Sequence, residues 1–159
     1  MGRFKTLILM IVTVILMAAC GGGGMVRRVS EPAASIQQLT VRPDGSWSVD
    51  VRINNFSSIP MRFDAIALRM SLGSEQAGTL SGNAGISIGP ESADVVTLVH
   101  SPTPTARIVM ADALAAQRSV GYVLKGTINA TPEEGKPLDY DIDRTSSLSP
   151  VPGLPGVMR

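Results

Sequence analysis

Apolar and polar residues alternate in short runs along most of the chain from residue 36 onward. In the clearest run, residues 46–53, every second position is apolar: Trp47, Val49, Val51 and Ile53. Such alternation is typical of a half-buried β-strand, because successive side chains point to opposite faces of a sheet. It also places Trp47 in the core rather than in a binding site. The preceding Pro43-Asp44-Gly45 predicts a turn, since proline presets φ and glycine accepts a positive φ.

The same pattern predicts further strands at residues 36–42, 61–72, 76–80, 94–99, 120–128 and 137–143. Within one of them the apolar positions change phase at Asp64-Ala65, which predicts a β-bulge, where one extra residue re-aims the side chains that follow. Residues 107–118 have a helical composition, and a short helix and an irregular connection fit them equally well. About seven short strands separated by turn residues predict an all-β fold, an antiparallel β-sandwich.

The first 19 residues have the organisation of a signal peptide. Two basic residues, Arg3 and Lys5, precede an uncharged and mainly apolar stretch at residues 6–19. As a helix this stretch would extend about 21 Å, whereas the hydrocarbon core of a bilayer is about 30 Å thick. The length therefore predicts a signal peptide rather than a permanent transmembrane anchor.

The stretch ends in Leu16-Met17-Ala18-Ala19-Cys20, which resembles the lipobox of bacterial lipoproteins. That resemblance implies that a diacylglyceryl group alkylates the Cys20 thiol and that the Ala19–Cys20 bond is cut. The flanking residues must be small, because a lipid-modifying enzyme has to reach the thiol. Two or three acyl chains such as palmitate on one residue hold a protein at the membrane, whereas a single chain binds only reversibly. An ordinary secretory signal with Cys20 at its boundary is the alternative.

The rest of the chain divides into a tether, a domain and a tail. Residues 20–35 are interpreted as the lipidated cysteine and a flexible tether, because a glycine run cannot bury apolar surface. Gly21 rather than aspartate after the cysteine implies, in the lipoprotein family, an outer-membrane anchor facing the periplasm. The domain is predicted at residues 36–143. Residues 144–159, rich in Ser, Pro and Gly, are predicted to be disordered.

Composition excludes several classes of function. The net charge is +1 and stays near zero once the leader is removed, so the domain has no electrostatic footprint for nucleic acid. One cysteine and one histidine exclude a disulfide framework, a thiolate metal cage and a multi-histidine site. We therefore expect no metal, no cofactor and no nucleic-acid partner. The remaining partners to consider are the lipid bilayer and an envelope protein.

Two further groups are weak candidates for chemistry. His100 is expected in a loop after a strand, without the nucleophile and orienting carboxylate that catalysis needs. Asp139, Asp141 and Asp143 alternate along one strand face without the glycine turn and bidentate glutamate of a calcium loop. A solvated face that guards a sheet edge is the better interpretation. We expect the protein not to be an enzyme.

The order of several motifs resembles the LEA14-like family, also called late embryogenesis abundant type 2 or the water stress and hypersensitive response (WHy) domain. Ile53-Asn54-Asn55-Phe56 resembles the strand end and Asn-Pro-Asn-like turn of that family, and Pro60 the proline that opens its next strand. The downstream matches are Ala77-Gly78-Thr79, Ile86-Ser87-Ile88-Gly89-Pro90 and Tyr122-Val123-Leu124-Lys125-Gly126-Thr127-Ile128.

This resemblance, over residues 36–143, implies an immunoglobulin- or fibronectin-III-like sandwich linked to desiccation or stress tolerance. It implies a structural turn at Asn54, Asn55 and Pro60, and no catalytic residues. The first functional hypothesis is a lipid-anchored, periplasm-facing binding or protective module. The second is an envelope adaptor that binds an extended segment of a partner at a sheet edge.

Overall fold

The computed structural model of the protein describes residues 27–159. This part of the chain contains eight β-strands and one α-helix. In chain order they are β1 (Ala33–Val41), β2 (Trp47–Asn55), β3 (Met61–Leu72), β4 (Glu75–Ile88), β5 (Ser92–His100), α1 (Pro104–Ala115), β6 (Val120–Pro132), β7 (Leu138–Leu148) and β8 (Val157–Met158). The predicted signal peptide, residues 1–19, and Cys20 lie outside the described residues.

The strands form two four-stranded sheets in the orders β5-β2-β1-β8 and β4-β3-β6-β7. All neighbouring strands run antiparallel. One cluster of buried apolar residues draws on both sheets, so the predicted β-sandwich is confirmed. All seven predicted strands are present, and β8 is an eighth that the alternation does not predict.

Alternating apolar positions build the core, which contains few aromatic side chains. Trp47, Phe63 and Tyr122 are almost fully buried, and Trp47 retains only 1% of its exposure. This confirms the prediction that Trp47 belongs to the core. Gly126 lies opposite Leu68 across two central strands. A Cβ at that position would lie 2.1 Å from the carbonyl oxygen of Ala67, so only glycine allows this approach.

The hairpins place the turns at two opposite ends of the sandwich. We name them the lower end, residues 27–32, 54–60, 89–91 and 133–138, and the upper end, residues 42–46, 73–74, 101–119 and 149–156. Backbone hydrogen bonds join turns at the lower end, from Glu91 N to Ser57 O at 3.0 Å and from Glu133 N to Pro60 O at 3.0 Å. The lower end is also where the described chain begins.

The bulge predicted at Asp64-Ala65 is present in β3. The pairing register with β4 shifts between Phe63 and Ala65, and the register with β6 shifts between Phe63 and Ile66. Phe63 and Ile66 are both buried as a result. The extra residue therefore keeps the apolar side chains of both halves of the strand in the core.

β4 is longer than predicted, and a helix is present. The alternation predicts a strand at residues 76–80, whereas β4 continues to Ile88. Ser, Gly and Asn fill most of residues 81–85, and these residue types disfavour strands where packing does not decide. Helix α1 begins at Pro104, earlier than the predicted 107, because the Thr103 side chain accepts a hydrogen bond from Ala106 N and caps it.

The prediction of a disordered tail at residues 144–159 is wrong. Residues up to Leu148 extend β7, beyond the predicted domain boundary at 143, and Met158 in β8 pairs with Leu39 of β1. Met158 is fully buried. The glycines and prolines instead form the turns that bring the chain back, as at Gly153 with φ 79°. Here a composition that is typical of disorder forms the ordered turns that bring β8 back to pair with β1.

The prediction of a flexible tether over residues 20–35 is also wrong for its second half. Ala33 opens β1, and Ala34 is 2% exposed. Before it, the backbone groups of Arg28 and Ser30 bond to Ser57 and Ser58 in the turn between β2 and β3. Residues 20–26 lie outside the described part of the chain.

Candidate functional site

The beginning of the described chain is held against the turn between β2 and β3. Arg28 N donates to Ser58 Oγ at 2.7 Å, and Ser58 N donates back to Arg28 O at 2.9 Å. Ser30 N donates to Ser57 Oγ at 2.9 Å, and the Ser57 hydroxyl donates to Ser30 O at 3.2 Å. Three of these four hydrogen bonds involve a serine hydroxyl, and one joins backbone to backbone. Together they hold residues 28–30 against the turn.

Asn55 holds that turn in place from inside. The side chain is fully buried. Its Nδ2 donates to Ile59 O at 3.0 Å, Ile88 O at 3.1 Å and Gly89 O at 2.9 Å. Its Oδ1 accepts a hydrogen bond from Ser57 N at 2.9 Å. One side chain thus ties the turn after β2 to the turn after β4, which makes the lower end a single unit.

The other two residues of the predicted turn motif lie close by. Asn54 is half-buried within β2, paired with Ala33 and Ala93 in the neighbouring strands. Pro60 is half-buried just before β3, and its carbonyl oxygen accepts from Glu133 N. The structure therefore brings all three motif residues to the lower end of the sandwich.

Charged residues at the lower end pair with one another. Arg27 forms an ion pair with Glu134. Arg28 Nη2 lies 3.5 Å from Glu91 Oε1 and also donates to Phe56 O at 3.3 Å. These pairs are exposed, so each contributes little to stability. Their effect is to place two basic side chains of the N-terminal segment beside acids, which leaves little net charge there.

Open cavities lie around the N-terminal segment. One of about 410 Å³ lies between Arg27, Val29, Ile59 and Leu138, and another of about 550 Å³ lies between Arg27, Ile59 and Pro90. Val29, Phe56 and Leu138 are 46%, 50% and 50% exposed, respectively. Exposed apolar side chains beside open cavities are suited to contact with another surface rather than to enclosing a small ligand.

His100 is not in a loop, contrary to the expectation from sequence. It is the last residue of β5, opposite Trp47, and is 8% exposed. Its Nε2 lies 2.8 Å from Ala77 O and acts as the donor, because a carbonyl oxygen can only accept. Gly78, with φ +117°, leaves room for the ring, since a Cβ there would lie 2.8 Å from His100 Cε1. The ring packs as part of the core.

The three aspartates of β7 lie exposed on the edge strand of the second sheet, as predicted. Asp143 Oδ2 lies 3.0 Å from Lys125 Nζ, and Asp139 Oδ1 accepts from Asn129 Nδ2 at 2.7 Å. Within residues 27–159, no group of three or more His, Cys, Asp or Glu side chains is arranged to hold a metal ion. In the same range, no helix is long and apolar enough to cross a bilayer.

Two side chains have shifted pKa values for local reasons. Burial raises the pKa of the Tyr140 phenol, and the nearby Glu31 carboxylate raises it further. Hydrogen bonds from the Ser46 hydroxyl and backbone N–H lower the pKa of the exposed Asp44 carboxyl. Neither group lies in a constellation of acid, base and nucleophile, and Asp44 serves the turn that the sequence predicts before β2.

Ala19 and Cys20, the predicted cleavage and lipidation residues, lie outside the described residues. The docking of residues 27–30 is the feature that sequence reasoning missed. The only signal for it is the Ser57-Ser58 pair after Asn55, because adjacent hydroxyls in a turn can bond to a passing backbone. The partners are 27–30 residues apart in sequence, so no local pattern connects them.

Comparison with known proteins identifies the fold but no family. No family model matches the chain, and no curated protein matches it significantly. Among solved structures, the solution structure of a protein described as late embryogenesis abundant (LEA) matches with a TM-score of 0.50 and 12% identity, covering 98% of this chain and 87% of that one. The fold of this chain is LEA-like.

Two further solved structures match less well. An Arabidopsis thaliana protein has a TM-score of 0.46 and 13% identity, covering 78% of this chain and 79% of that one. An Archaeoglobus fulgidus protein has a TM-score of 0.44 and 14% identity, covering 78% of this chain and 98% of that one.

Proposed function

We propose that the protein is a lipid-anchored module of the bacterial cell envelope, held through acylated Cys20 at the outer membrane, facing the periplasm. Its role is non-catalytic, the protection of neighbouring molecules during desiccation or a related stress. The observation that carries the protective role is the LEA-like fold. The motif order from Asn54-Asn55 to Tyr122-Val123-Leu124-Lys125-Gly126 supports the same assignment.

The geometry of the lower end supports an anchor at Cys20. Only residues 21–26 separate Cys20 from Arg27, where hydrogen bonds and ion pairs to the sandwich begin. Even fully extended, this segment spans at most about 25 Å. A lipid on Cys20 would therefore hold the lower end within that distance of the bilayer, and the upper end would face away.

The non-catalytic role is supported by how the polar side chains of residues 27–159 are used. The Nε2 atom of His100 is bonded to the main chain, and the Asn55 amide is bonded to four backbone groups. Nucleophilic catalysis needs a base oriented beside a nucleophile. The buried polar groups here instead hold turns and strand ends together.

A drying assay tests the protective role. A labile enzyme is dried and rehydrated with the mature protein, with an equal mass of albumin, or with the Leu124→Asp variant. We expect the mature protein to preserve more enzyme activity than either control. The variant should fail to fold, because it places an unpaired charge at a fully buried position. Protection no better than that by albumin would contradict the proposal.

The edge of β4 favours a second candidate function, an adaptor that binds an extended segment of an envelope protein. Near its start this edge is covered, since Thr103 Oγ1 donates to Gln76 O at 2.6 Å and Thr103 N donates to Ala77 O at 3.2 Å. Further along, Ser81, Gly82, Asn83, Gly85 and Ser87 are exposed and uncharged. An edge without charges is open to strand addition.

Crosslinking in cells tests the adaptor. A photoreactive side chain at Asn83 should capture one specific envelope protein, whereas the same group at Asp141, on the opposite edge strand β7, should not. Capture of the same proteins from both positions, or of none reproducibly, would contradict the adaptor function.

A further inference from the structure

We propose that the lower end of the sandwich is a membrane-contact surface. Val29, Phe56 and Leu138 lie against the headgroup and acyl-chain boundary of the phospholipid bilayer that holds Cys20. This proposal rests on the lipid anchor of the proposed function and adds an orientation and a surface to it. The occupant is the bilayer itself, and a second copy of the chain is the alternative that the experiment must separate from it.

The position where the described chain begins brings this end to the membrane. Arg28 and Ser30 are bonded to Ser57 and Ser58, so the described chain begins at the lower end. Residues 21–26 then lead back to Cys20. Even fully extended, this segment spans at most about 25 Å. A lipid on Cys20 would therefore hold the lower end within that distance of the bilayer surface.

The side chains at this end suit the boundary region of a bilayer. Residues 27–159 include six large hydrophobic residues with substantial exposure, and three of them, Val29, Phe56 and Leu138, lie at the lower end. Val29 and Leu138 line the same cavity, together with Lys136, Glu133 and Glu134. An apolar group with long charged side chains beside it matches an interface where acyl chains meet headgroups.

Charge pairing indicates which lipid the surface requires. Arg27 pairs with Glu134, and Arg28 pairs with Glu91. Since these cations already have acidic partners, the surface gains little from anionic headgroups. Contact should depend on the apolar side chains and should be similar on zwitterionic and anionic membranes.

The turn that carries Phe56 is held rigidly, which favours insertion. Buried Asn55 is bonded to Ile59 O and Ser57 N on either side of the turn. Phe56 itself is half-exposed and directed away from the core. A side chain presented by a fixed turn loses little conformational freedom on entering the bilayer.

The experiment uses the full lipidated protein, purified from host membranes and reconstituted in phosphatidylcholine vesicles with and without phosphatidylglycerol. Phe56→Trp places a fluorophore at the lower end, and Ile108→Trp, at a 69% exposed position of α1 at the upper end, is the matched control. The fluorescence of the wild-type protein, which comes from buried Trp47, is measured as the background. Intact mass is measured on each sample, and thermal unfolding confirms that both variants fold.

We expect the emission of Phe56→Trp to shift to the blue in vesicles. Lipids brominated at shallow acyl positions should quench it, since interfacial side chains sit about 5–10 Å into the headgroup and acyl boundary. Ile108→Trp should behave as the wild type does. Quenching of Phe56→Trp should differ by less than about twofold between the two vesicle compositions, because Arg27 and Arg28 are already paired and Lys136 lines the same cavity as Glu133 and Glu134.

The failures are distinguishable. An unmodified mass at Cys20 would overturn the lipid anchor and this inference with it. An acylated protein whose Phe56→Trp emission is no more quenched than the Ile108→Trp emission would overturn this inference alone. A blue shift of the Phe56→Trp emission without quenching by the brominated lipids, together with a protein particle of twice the monomer mass, would assign the surface to a second copy of the chain. That result would also overturn this inference.

Discussion

At the scale of single residues, buried polar groups decide which substitutions the sandwich tolerates. Asn55 is fully buried and bonds to backbone groups in two different turns, whereas its neighbour Asn54 is half-buried within a strand. Tyr122 and Tyr140 are both buried, yet within residues 27–159 only the Tyr122 hydroxyl has a hydrogen-bond partner. Adjacent or chemically similar residues therefore contribute differently to the free energy of unfolding.

Asn55→Ala should destabilise the domain by about 3 kcal/mol, because several buried backbone groups lose a partner at once. Asn54→Ala, the matched control, should change the free energy of unfolding by less than about 1 kcal/mol. Urea unfolding of both variants measures the difference. Equal effects would mean that the Asn55 amide does not hold the two turns together.

The two tyrosines form a second matched pair. Tyr122 Oη accepts a hydrogen bond from Ile36 N at 3.1 Å, so Tyr122→Phe should lower stability by about 1–3 kcal/mol. Among the described residues, the Tyr140 hydroxyl oxygen has no hydrogen-bond partner. Tyr140→Phe should therefore be neutral or stabilising at pH 7. Thermal unfolding of both variants tests the ordering.

The raised pKa of Tyr140 adds a pH dependence. Burial, and then Glu31, raise the pKa of the phenol above its usual value near 10. The contribution of this group to stability is complete below about pH 10 and is lost as the pH rises through the folded-state value. Tyr140→Phe should reduce the loss of stability above pH 10. An unchanged alkaline profile would contradict the assignment.

At the scale of elements, the C-terminal return closes the core at the upper end. Met158 is fully buried and pairs with Leu39, whereas Leu154, in the turn before it, is 49% exposed. Backbone hydrogen bonds between Ser149 and Arg159 close the loop between them. The return is therefore part of the folded domain, although most of its residues lie in turns.

Met158→Ala should destabilise the domain by about 3 kcal/mol, because it removes a buried side chain and leaves a cavity. Leu154→Ala should cost less than about 1 kcal/mol at its exposed position. Denaturant unfolding compares the two variants. A Met158→Ala protein as stable as the control would mean that the return is not packed against β1.

Which elements could be predicted depended on local patterning. β2 and β3 alternate cleanly, so their faces and the bulge at Asp64-Ala65 followed from sequence. The second half of β4 and the two-residue β8 did not, because pairing partners rather than propensity stabilise them. The turn at Asn54, Asn55 and Pro60 was expected from the motif resemblance. The docking of residues 27–30 depends mainly on hydrogen bonds to the Ser57 and Ser58 hydroxyls, which lie 27–30 residues further along the chain, so no local pattern connects the partners.

At the scale of the whole molecule, the docked N-terminal segment makes the two ends of the sandwich different from each other. The lower end holds Arg28, Asn55 and Phe56, and it continues toward Cys20 through residues 21–26. The upper end holds α1 and the C-terminal return. A lipid anchor on Cys20 would expose α1 and the return to the periplasm. The account of function therefore depends on the covalent state of one cysteine.

Intact-mass spectrometry of the protein extracted from membranes of its native host, paired with separation of inner and outer membranes, tests that claim most directly. The account predicts a mass equal to residues 20–159 plus two or three acyl chains, in the outer-membrane fraction. The Cys20→Ser variant should be soluble or remain uncleaved. An unmodified mature chain in the soluble periplasm would contradict the account.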